Sequence, residues 1–192
     1  WDLLDSRLAL SAAVFRNERT NYRVNDPGNP DNPSGEQALD GEARVDGVSL
    51  GLAGAITDRW QVFANYMYLD SEVIQSVSDY ALSQGSIDAQ AGNPLTQTPE
   101  NSGSLWTTYE LPLRFTIGYG VTYQGEIHLP NGAPPLNKAP SYTVHRLMAS
   151  WQATDRLGLR LNVNNLFDEE YYVRVRNNGW AVPGDTRQFV LS

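Results

Sequence analysis

The chain has 192 residues, of which 41% are hydrophobic and 19% are charged, and it carries no cysteine. The net charge of -8 argues against nucleic acid as a partner, and the absence of cysteine removes disulfides and thiolate metal sites. No stretch approaches the ~20 consecutive apolar residues that a membrane-spanning helix needs, which excludes helical membrane proteins. The 10 Tyr, 5 Trp and 16 Gly favour a β protein.

Apolar residues alternate with small or polar ones along many segments, as they do in strands whose two faces meet different surroundings. The alternation is clearest over residues 114–124 and 157–164. Several segments exceed the usual ~5 to 6 residues of a strand in a globular protein. About eight strands are predicted, over residues 7–23, 41–56, 60–73, 100–111, 114–127, 141–153, 157–171 and 186–192.

The connections between these strands are alternately short and long. The short ones are Thr57-Asp58-Arg59, Pro112-Leu113 and Thr154-Asp155-Arg156. The long ones, over residues 24–40, 74–99, 128–140 and 172–185, are polar and rich in Gly, Pro and Asn. An antiparallel meander with short turns at one end and long loops at the other is typical of bacterial outer-membrane barrels.

Aromatic residues near the strand ends support the same interpretation. Trp60, Phe115 and Trp151 flank the short turns and would form one girdle. From Trp60 to Tyr68 the strand is about 26 Å long at ~3.3 Å per residue, which a tilt near 40° reduces to roughly 20 Å of height. That height is close to the ~25 Å apolar band of such barrels. The opposite girdle is predicted to consist of Tyr66, Tyr68, Tyr123 and Tyr171.

No motif for catalysis or cofactor binding is present. The sequence contains no G-x-S-x-G, H-E-x-x-H, P-loop or G-x-G-x-x-G pattern. His128 and His145 lack the spacing and helpers of a metal pair, and prolines interrupt the calcium-loop-like segment 26–36. The carboxylates at 168–170 form a charge run at a strand end. The sequence therefore predicts a protein that is not an enzyme and that holds no metal or cofactor of its own.

Two blocks near the end of the chain carry a family resemblance. The block L-N-V-N-N-L-F-D-E-E-Y-Y at 161–172, followed by V-P-G-D-T-R at 182–187, resembles the C-terminal end of TonB-dependent outer-membrane receptors. Further segments similar to this family are T-P-E-N-S at 98–102 and A-P-S-Y at 139–142. The segments W-T-T-Y at 106–109 and R-V-R-N-N-G-W at 174–180 are closest to the ferric-siderophore branch, of the catecholate type.

The resemblance implies an all-β fold in which residues 1–192 form the C-terminal part of a transmembrane antiparallel meander, about eight strands of a twenty-two-stranded barrel. It implies uptake of ferric siderophores across the outer membrane of a Gram-negative bacterium, driven by TonB through a plug region that this chain lacks. Outer-membrane lipid and lipopolysaccharide are the other expected partners. Because such receptors usually end in an aromatic residue and this chain stops at Ser192, we expect truncation at both ends.

Charge is distributed unevenly along the chain. Residues 1–110 hold 6 basic and 16 acidic side chains, whereas residues 111–192 hold 8 basic and 6 acidic ones. A ferric catecholate is anionic, so we expect the later, basic part to attract it. The predicted ligand contacts are Arg174, Arg176 and Trp180, followed by Lys138, Tyr80 and Trp106. As an alternative, Arg174 and Arg176 pair with the carboxylates of 168–170 at the barrel rim.

The C-terminal blocks also predict a structural element. Asn164 and Asn165 are expected to cap backbone groups where the strand leaves its ladder, and Pro183-Gly184 to form a turn that re-enters the sheet. Arg187 would lie near the start of the last strand.

Two other classes of protein fit part of this pattern. The first is an autonomous eight-stranded outer-membrane barrel with a structural or adhesion role, since eight strands can close on a packed interior. The second is a soluble carbohydrate-binding β-domain. A small closed barrel would fold alone in detergent with heat-modifiable gel mobility, whereas part of a larger wall would leave two unpaired edges and aggregate.

Overall fold

The computed structural model of the protein describes residues 1–32, 37–129, 137–176 and 179–192. The strands are β1 (Asp2–Leu3), β2 (Leu8–Asn25), β3 (Gln37–Thr57), β4 (Trp60–Gln75), β5 (Asn101–Leu111), β6 (Phe115–Gln124), β7 (Ile127–His128), β8 (Lys138–Ala139), β9 (Tyr142–Gln152), β10 (Gly158–Asn164), β11 (Tyr172–Val175), β12 (Ala181–Pro183) and β13 (Gln188–Leu191). One short helix, α1 (Asp79–Ser83), and a 3-10 turn at Pro112–Arg114 complete the described elements. Among these residues no helix has the length and apolarity to cross a membrane.

Nine strands form one antiparallel sheet in the order β1-β2-β3-β4-β5-β6-β9-β10-β13, and β7-β8 and β11-β12 form separate hairpins. The eight predicted strands are all present in this sheet, seven of them with seven or more residues and β13 with four, so the predicted meander is confirmed. In the described part of the chain the outermost strands β1 and β13 do not pair with each other. The sheet is therefore an open wall.

The strand predicted over 157–171 is too long, since β10 ends at Asn164. The backbone φ angles of Asn165 (48°) and Asp168 (58°) are positive, which takes the chain out of the ladder. The prediction failed because Phe167 and Tyr171 continue the odd-numbered alternation of Leu161 and Val163. The α1 helix and the two hairpins were not predicted.

The sheet has two faces of different composition, which the cross-strand register defines. On the face we call outer, Tyr66 lies at the level of Leu50, and Ile117 at that of Ala149. Leu161 continues the same face on β10. The opposite face, called inner, is mostly small or polar. Such a division suits a wall with lipid on one side and a lumen on the other.

The predicted girdle at the short-turn end is confirmed on the outer face. Phe115 and Trp151 stack with ring centroids 5.4 Å apart and planes 4° from parallel. Trp60 lies opposite Tyr109 on the same face, and its Nε1–H donates to Thr107 Oγ1 at 2.8 Å. An indole that is apolar on its face and hydrogen-bonded at its edge suits a membrane interface.

At the other end of the outer face, Tyr66 and Tyr123 flank Gly103 at one level, and Tyr68 follows Tyr66 on the same parity. The prediction for Tyr171 was wrong. Its ring packs 4.6 Å from that of Tyr142, which belongs to the inner face. Tyr171 sits there because it covers Gly184, where no side chain would fit beneath the ring.

Beyond these tyrosines, toward the long connections, the outer face becomes charged. Arg16 donates two hydrogen bonds to Asp46, at 2.7 and 2.8 Å, and Arg44 donates to Glu72 at 2.6 Å. Arg16 is only two residues beyond Val14 on the same face, so the change from apolar to charged is abrupt. The long strands β2, β3 and β4 thus extend past the apolar band into water.

The C-terminal blocks meet in one turn around the buried side chain of Asn165. Asn165 is 2% exposed, and its Nδ2 donates to the carbonyls of Glu169 and Asp185, both at 2.9 Å. The N–H of Glu169 donates back to Asn165 Oδ1 at 2.9 Å. The predicted capping role is therefore confirmed for Asn165, whereas Asn164 stays in the ladder opposite Gln188.

Candidate ligand-binding site

The long connections lie together at one end of the wall. We name their described residues loop A (26–32), loop B (76–100), loop C (125–129 and 137–141) and loop D (165–176 and 179–187). Four of the six predicted ligand contacts lie in loops C and D, one in loop B, and one in strand β5.

Loop D brings three of the predicted residues into one cluster. The guanidinium of Arg176 lies 5.3 Å from the centroid of the Trp180 ring, and that of Arg174 lies 6.0 Å from it. The N–H of Arg176 donates to the Trp180 carbonyl at 2.8 Å, so the two side chains stand side by side across the hairpin. Asn177 and Asn178, part of the segment that resembles the siderophore branch, lie outside the described residues.

The alternation of β11, which Arg176 continues directly after the last strand residue Val175, explains why both arginines reach the same ring. Successive side chains of a strand point to opposite faces, so Arg174 and Arg176 share one face and Val175 takes the other. Val175 packs against an apolar cluster of loop C, formed by Ile127, Leu129 and Ala139. The hairpin is thus anchored through its apolar face and presents its cationic face.

The cluster carries two positive charges, one on each arginine. Arg174 and Arg176 are exposed and join none of the ion pairs found in the described ranges. The nearby carboxylate of Asp168 instead approaches Arg187, 3.6 Å from its Nη2, and accepts the Arg187 N–H at 2.8 Å. The alternative in which both arginines pair with 168–170 is therefore absent from this structure.

Lys138 is already paired. Its Nζ lies 2.9 Å from a carboxylate oxygen of Glu126, and this hydrogen bond and the charge of Lys138 hold the pKa of Glu126 below its usual value. Both residues line a polar cavity of about 410 Å³ beside β4 and β5, together with His128. The arginine cluster of loop D does not contribute to this cavity.

Tyr80 and Trp106 lie apart from the loop D cluster. Tyr80 belongs to α1 in loop B, at the same end of the wall. Trp106 lies in mid-strand on the inner face, opposite Gly120 on β6. A Cβ built at Gly120 would lie 2.7 Å from the Trp106 ring, so this indole lies flat over the glycine and lines the wall.

Loops A and B are joined by a buried hydrogen bond that the sequence did not reveal. Ser78 is 0% exposed and its Oγ–H donates to Asp26 Oδ1 at 2.5 Å, while Asp26 is 4% exposed. The same Ser78 Oγ accepts the Ala81 N–H at 3.1 Å and thereby caps α1. The Ser78-Asp79 pair at the start of a short helix could have predicted the cap of α1. It could not have predicted that Ser78 also bonds to Asp26.

Hydrogen bonding to the charged form keeps the pKa of Asp26 below its ordinary value. The bond from Ser78 is the main cause, and the side-chain amides of Asn29 and Asn32 add to it against the effect of burial. Asp88 resembles Asp26, since hydrogen bonds from Ser76, Gln90 and Ala91 outweigh desolvation and lower its pKa. Both carboxylates are therefore ionised and accept hydrogen bonds that hold the loops in place.

In the described part of the chain, no group of three or more His, Asp or Glu side chains is placed to hold a metal ion.

Known proteins provide the family assignment. Residues 1–166 match the family model described as TonB dependent receptor-like, beta-barrel. The chain is 35% identical over its whole length to the probable TonB-dependent siderophore receptor PiuA of Acinetobacter baumannii and covers 25% of that protein. It is 31% identical to the catecholate siderophore receptor Fiu of Escherichia coli, again over its whole length and over 24% of the relative.

Solved structures agree with this assignment. The crystal structure of PiuA superimposes with a TM-score of 0.84 over 100% of this chain and 26% of PiuA. The ferripyoverdine receptor of the Pseudomonas aeruginosa outer membrane superimposes with a TM-score of 0.78 at 27% identity, over 99% of this chain and 25% of the receptor. The chain spans about a quarter of the length of the relatives that it matches. On this evidence the chain belongs to the TonB-dependent receptor family and forms part of its β-barrel.

Proposed function

We propose that this chain is the C-terminal part of the barrel of a receptor that takes up ferric siderophores across the outer membrane of a Gram-negative bacterium. In this proposal TonB supplies the energy through an N-terminal plug region, and lipid and lipopolysaccharide surround the outer face. The observation that carries the proposal is the Arg174–Trp180–Arg176 cluster at the loop end of the wall.

The chemistry of that cluster suits an anionic, aromatic chelate. Arginine donates several hydrogen bonds in a fixed plane to oxyanions, and a charge-assisted bond of this kind contributes more than a neutral one. An indole offers a flat surface for a catechol ring. Because neither arginine has a carboxylate partner in the described ranges, no ion pair must break before a ligand binds.

The relatives support a siderophore as the ligand class. PiuA is named a siderophore receptor, Fiu a catecholate siderophore receptor, and a third relative with 34% identity a metal-pseudopaline receptor. We propose a ferric catecholate for this chain because its cluster combines an aromatic plane with two cations. Proteins of this family are receptors, so we propose transport without a catalytic step.

The open sheet favours this function over an autonomous eight-stranded barrel. A closed barrel needs its first and last strands to pair, and β1 and β13 lie at opposite edges of the described sheet without pairing with each other. A soluble carbohydrate-binding domain is disfavoured by the apolar outer face, on which Ile117, Leu147 and Leu161 are each 39–46% exposed.

The test is the affinity of the full-length receptor for ferric dihydroxybenzoate. Replacing Arg174 and Arg176 together by Ala should weaken binding at least about tenfold, since each charged hydrogen bond contributes roughly 1.5 to 3 kcal/mol. The matched control replaces Arg156 and Arg160 by Ala, which removes the same charge at the short-turn end of the wall. Equal losses in the two double variants, or no loss in either, would show that loop D is not the ligand site.

A further inference from the structure

Gln97 in loop B makes hydrogen bonds to both neighbouring loops. Its backbone N–H donates to the carbonyl of His128 in loop C at 3.0 Å. Its side-chain Nε2 donates to the carbonyl of Val175 in loop D at 2.8 Å, across 78 positions of sequence.

The backbone of Gln97 is held in an unusual conformation. Its φ of 58° lies in the left-handed region, where a residue other than glycine is uncommon and strained. Such a conformation persists when the surroundings hold it, and Gln97 makes both hydrogen bonds in this conformation. The left-handed turn lets the main chain face loop C while the side chain faces loop D.

Val175 of loop D makes both of the contacts that hold the hairpin to its neighbours. Its side chain packs on Ile127, Leu129 and Ala139, and its carbonyl accepts the hydrogen bond from Gln97. The two residues on either side of it are Arg174 and Arg176. Apolar packing holds the β11–β12 hairpin against loop C. It does not by itself fix the orientation of the hairpin, because apolar contacts are not directional. The hydrogen bond from Gln97 is directional and therefore restrains the orientation of the hairpin.

We infer that Gln97 is a positioning residue of the ligand site, which sets the orientation of the Arg174–Trp180–Arg176 cluster without itself touching the ligand. This inference rests on the proposed function, because it assumes that the cluster binds the chelate. The affinity of loop D for the ligand thus depends on the hydrogen bond from Gln97 in loop B.

The main test variant is Gln97→Met in the full-length receptor. Methionine keeps the length and flexibility of glutamine and adds no charge beside the arginines, but it cannot donate to the Val175 carbonyl. Affinity for ferric dihydroxybenzoate should fall about three- to tenfold, the range that corresponds to one hydrogen bond. The concentration for half-maximal uptake should rise by the same factor, while the maximal uptake rate stays unchanged.

The matched control is Gln84→Met, since Gln84 lies in the same loop and its side chain donates only within that loop, to Ser83 Oγ at 3.3 Å. It should leave affinity unchanged. A second variant, Gln97→Gly, relieves the left-handed backbone and keeps the N–H bond to His128, so it folds if Gln97→Met does not. It should lose affinity to the same extent as Gln97→Met.

Combination with the arginine variants separates this inference from the proposed function. In the Arg174→Ala, Arg176→Ala background, Gln97→Met should cause no further loss, because its effect passes through those side chains. An additive loss, or unchanged affinity in both Gln97 variants, overturns the positioning role. If the Arg174→Ala, Arg176→Ala variant binds normally, the proposed ligand site is wrong. The positioning role of Gln97, which rests on that site, is then wrong as well.

Discussion

At the scale of single residues, Asn165 shows how one side chain replaces a strand ladder. Its amide meets two carbonyls and one N–H in a turn where the backbone has left the sheet. Asn165→Ala should lower the unfolding free energy of the receptor by about 2 to 4 kcal/mol, because these buried groups lose their partner. Thermal or denaturant unfolding measures the loss.

The adjacent Asn164 provides the control for that experiment. Its side chain makes no hydrogen bond among the described residues, so Asn164→Ala should change stability by less than about 1 kcal/mol. Equal effects at the two positions would contradict the assignment of Asn165 as the capping residue. The N-N pair predicted a cap, but only the structure distinguishes the two asparagines, because the choice depends on which of them leaves the ladder.

Asp26 gives a pH dependence at the same scale. Its pKa is lowered from the ordinary 3.8, so its bond with Ser78 stabilises the joined loops A and B above that pH. The contribution is lost as the pH falls through the lowered pKa. Amide exchange of Ala81, corrected for its intrinsic pH dependence, should therefore accelerate at pH values below about 3.8. In Asp26→Asn this acceleration should disappear, and a wild-type rate without it would contradict the anchor.

At the scale of elements, the two faces of the wall differ in what they tolerate. Leu147 on the outer face of β9 is 40% exposed and lies at the level of Tyr119 and Val163. Leu147→Arg should destabilise the receptor by about 2 to 4 kcal/mol, the cost of a cation at the lipid midplane. Thr122→Arg, on the inner face of β6, is the control and should be nearly neutral. Refolding into lipid vesicles measures both, and equal costs would mean that the faces are assigned wrongly.

The elements also show why the strands could be predicted and the loop contacts could not. Period-two alternation is a local signal, and it located all eight predicted strands of the large sheet, with its main error at the end of β10. The hydrogen bond of Gln97 to Val175 and that of Ser78 to Asp26 join residues 78 and 52 positions apart. Neither partner has a residue type that requires the other, so no local pattern predicts the contact. Arg174, Arg176 and Trp180 lie within seven residues of one another, so a local pattern was enough to predict that they meet. Their role as ligand contacts stays a prediction.

At the scale of the whole molecule, the loops form a connected layer above the wall. Asp26 joins loop A to loop B, Gln97 joins loop B to loops C and D, and Val175 packs loop D on loop C. Each contact alone is modest, and together they restrict how independently a loop moves. If loop D holds the ligand as proposed, these contacts would couple its binding to loops A, B and C.

The edges of the sheet decide how the chain behaves on its own. β13 is four residues long, and Phe189 and Leu191 on its outer face are 68% and 73% exposed. β1 is shorter still, and unpaired edges favour association with other chains. The isolated 192-residue chain should therefore form oligomers in detergent without a heat-modifiable gel band, whereas the full-length receptor should show one. A heat-modifiable monomer of the isolated chain would mean that β1 and β13 can pair, and would favour the autonomous eight-stranded barrel.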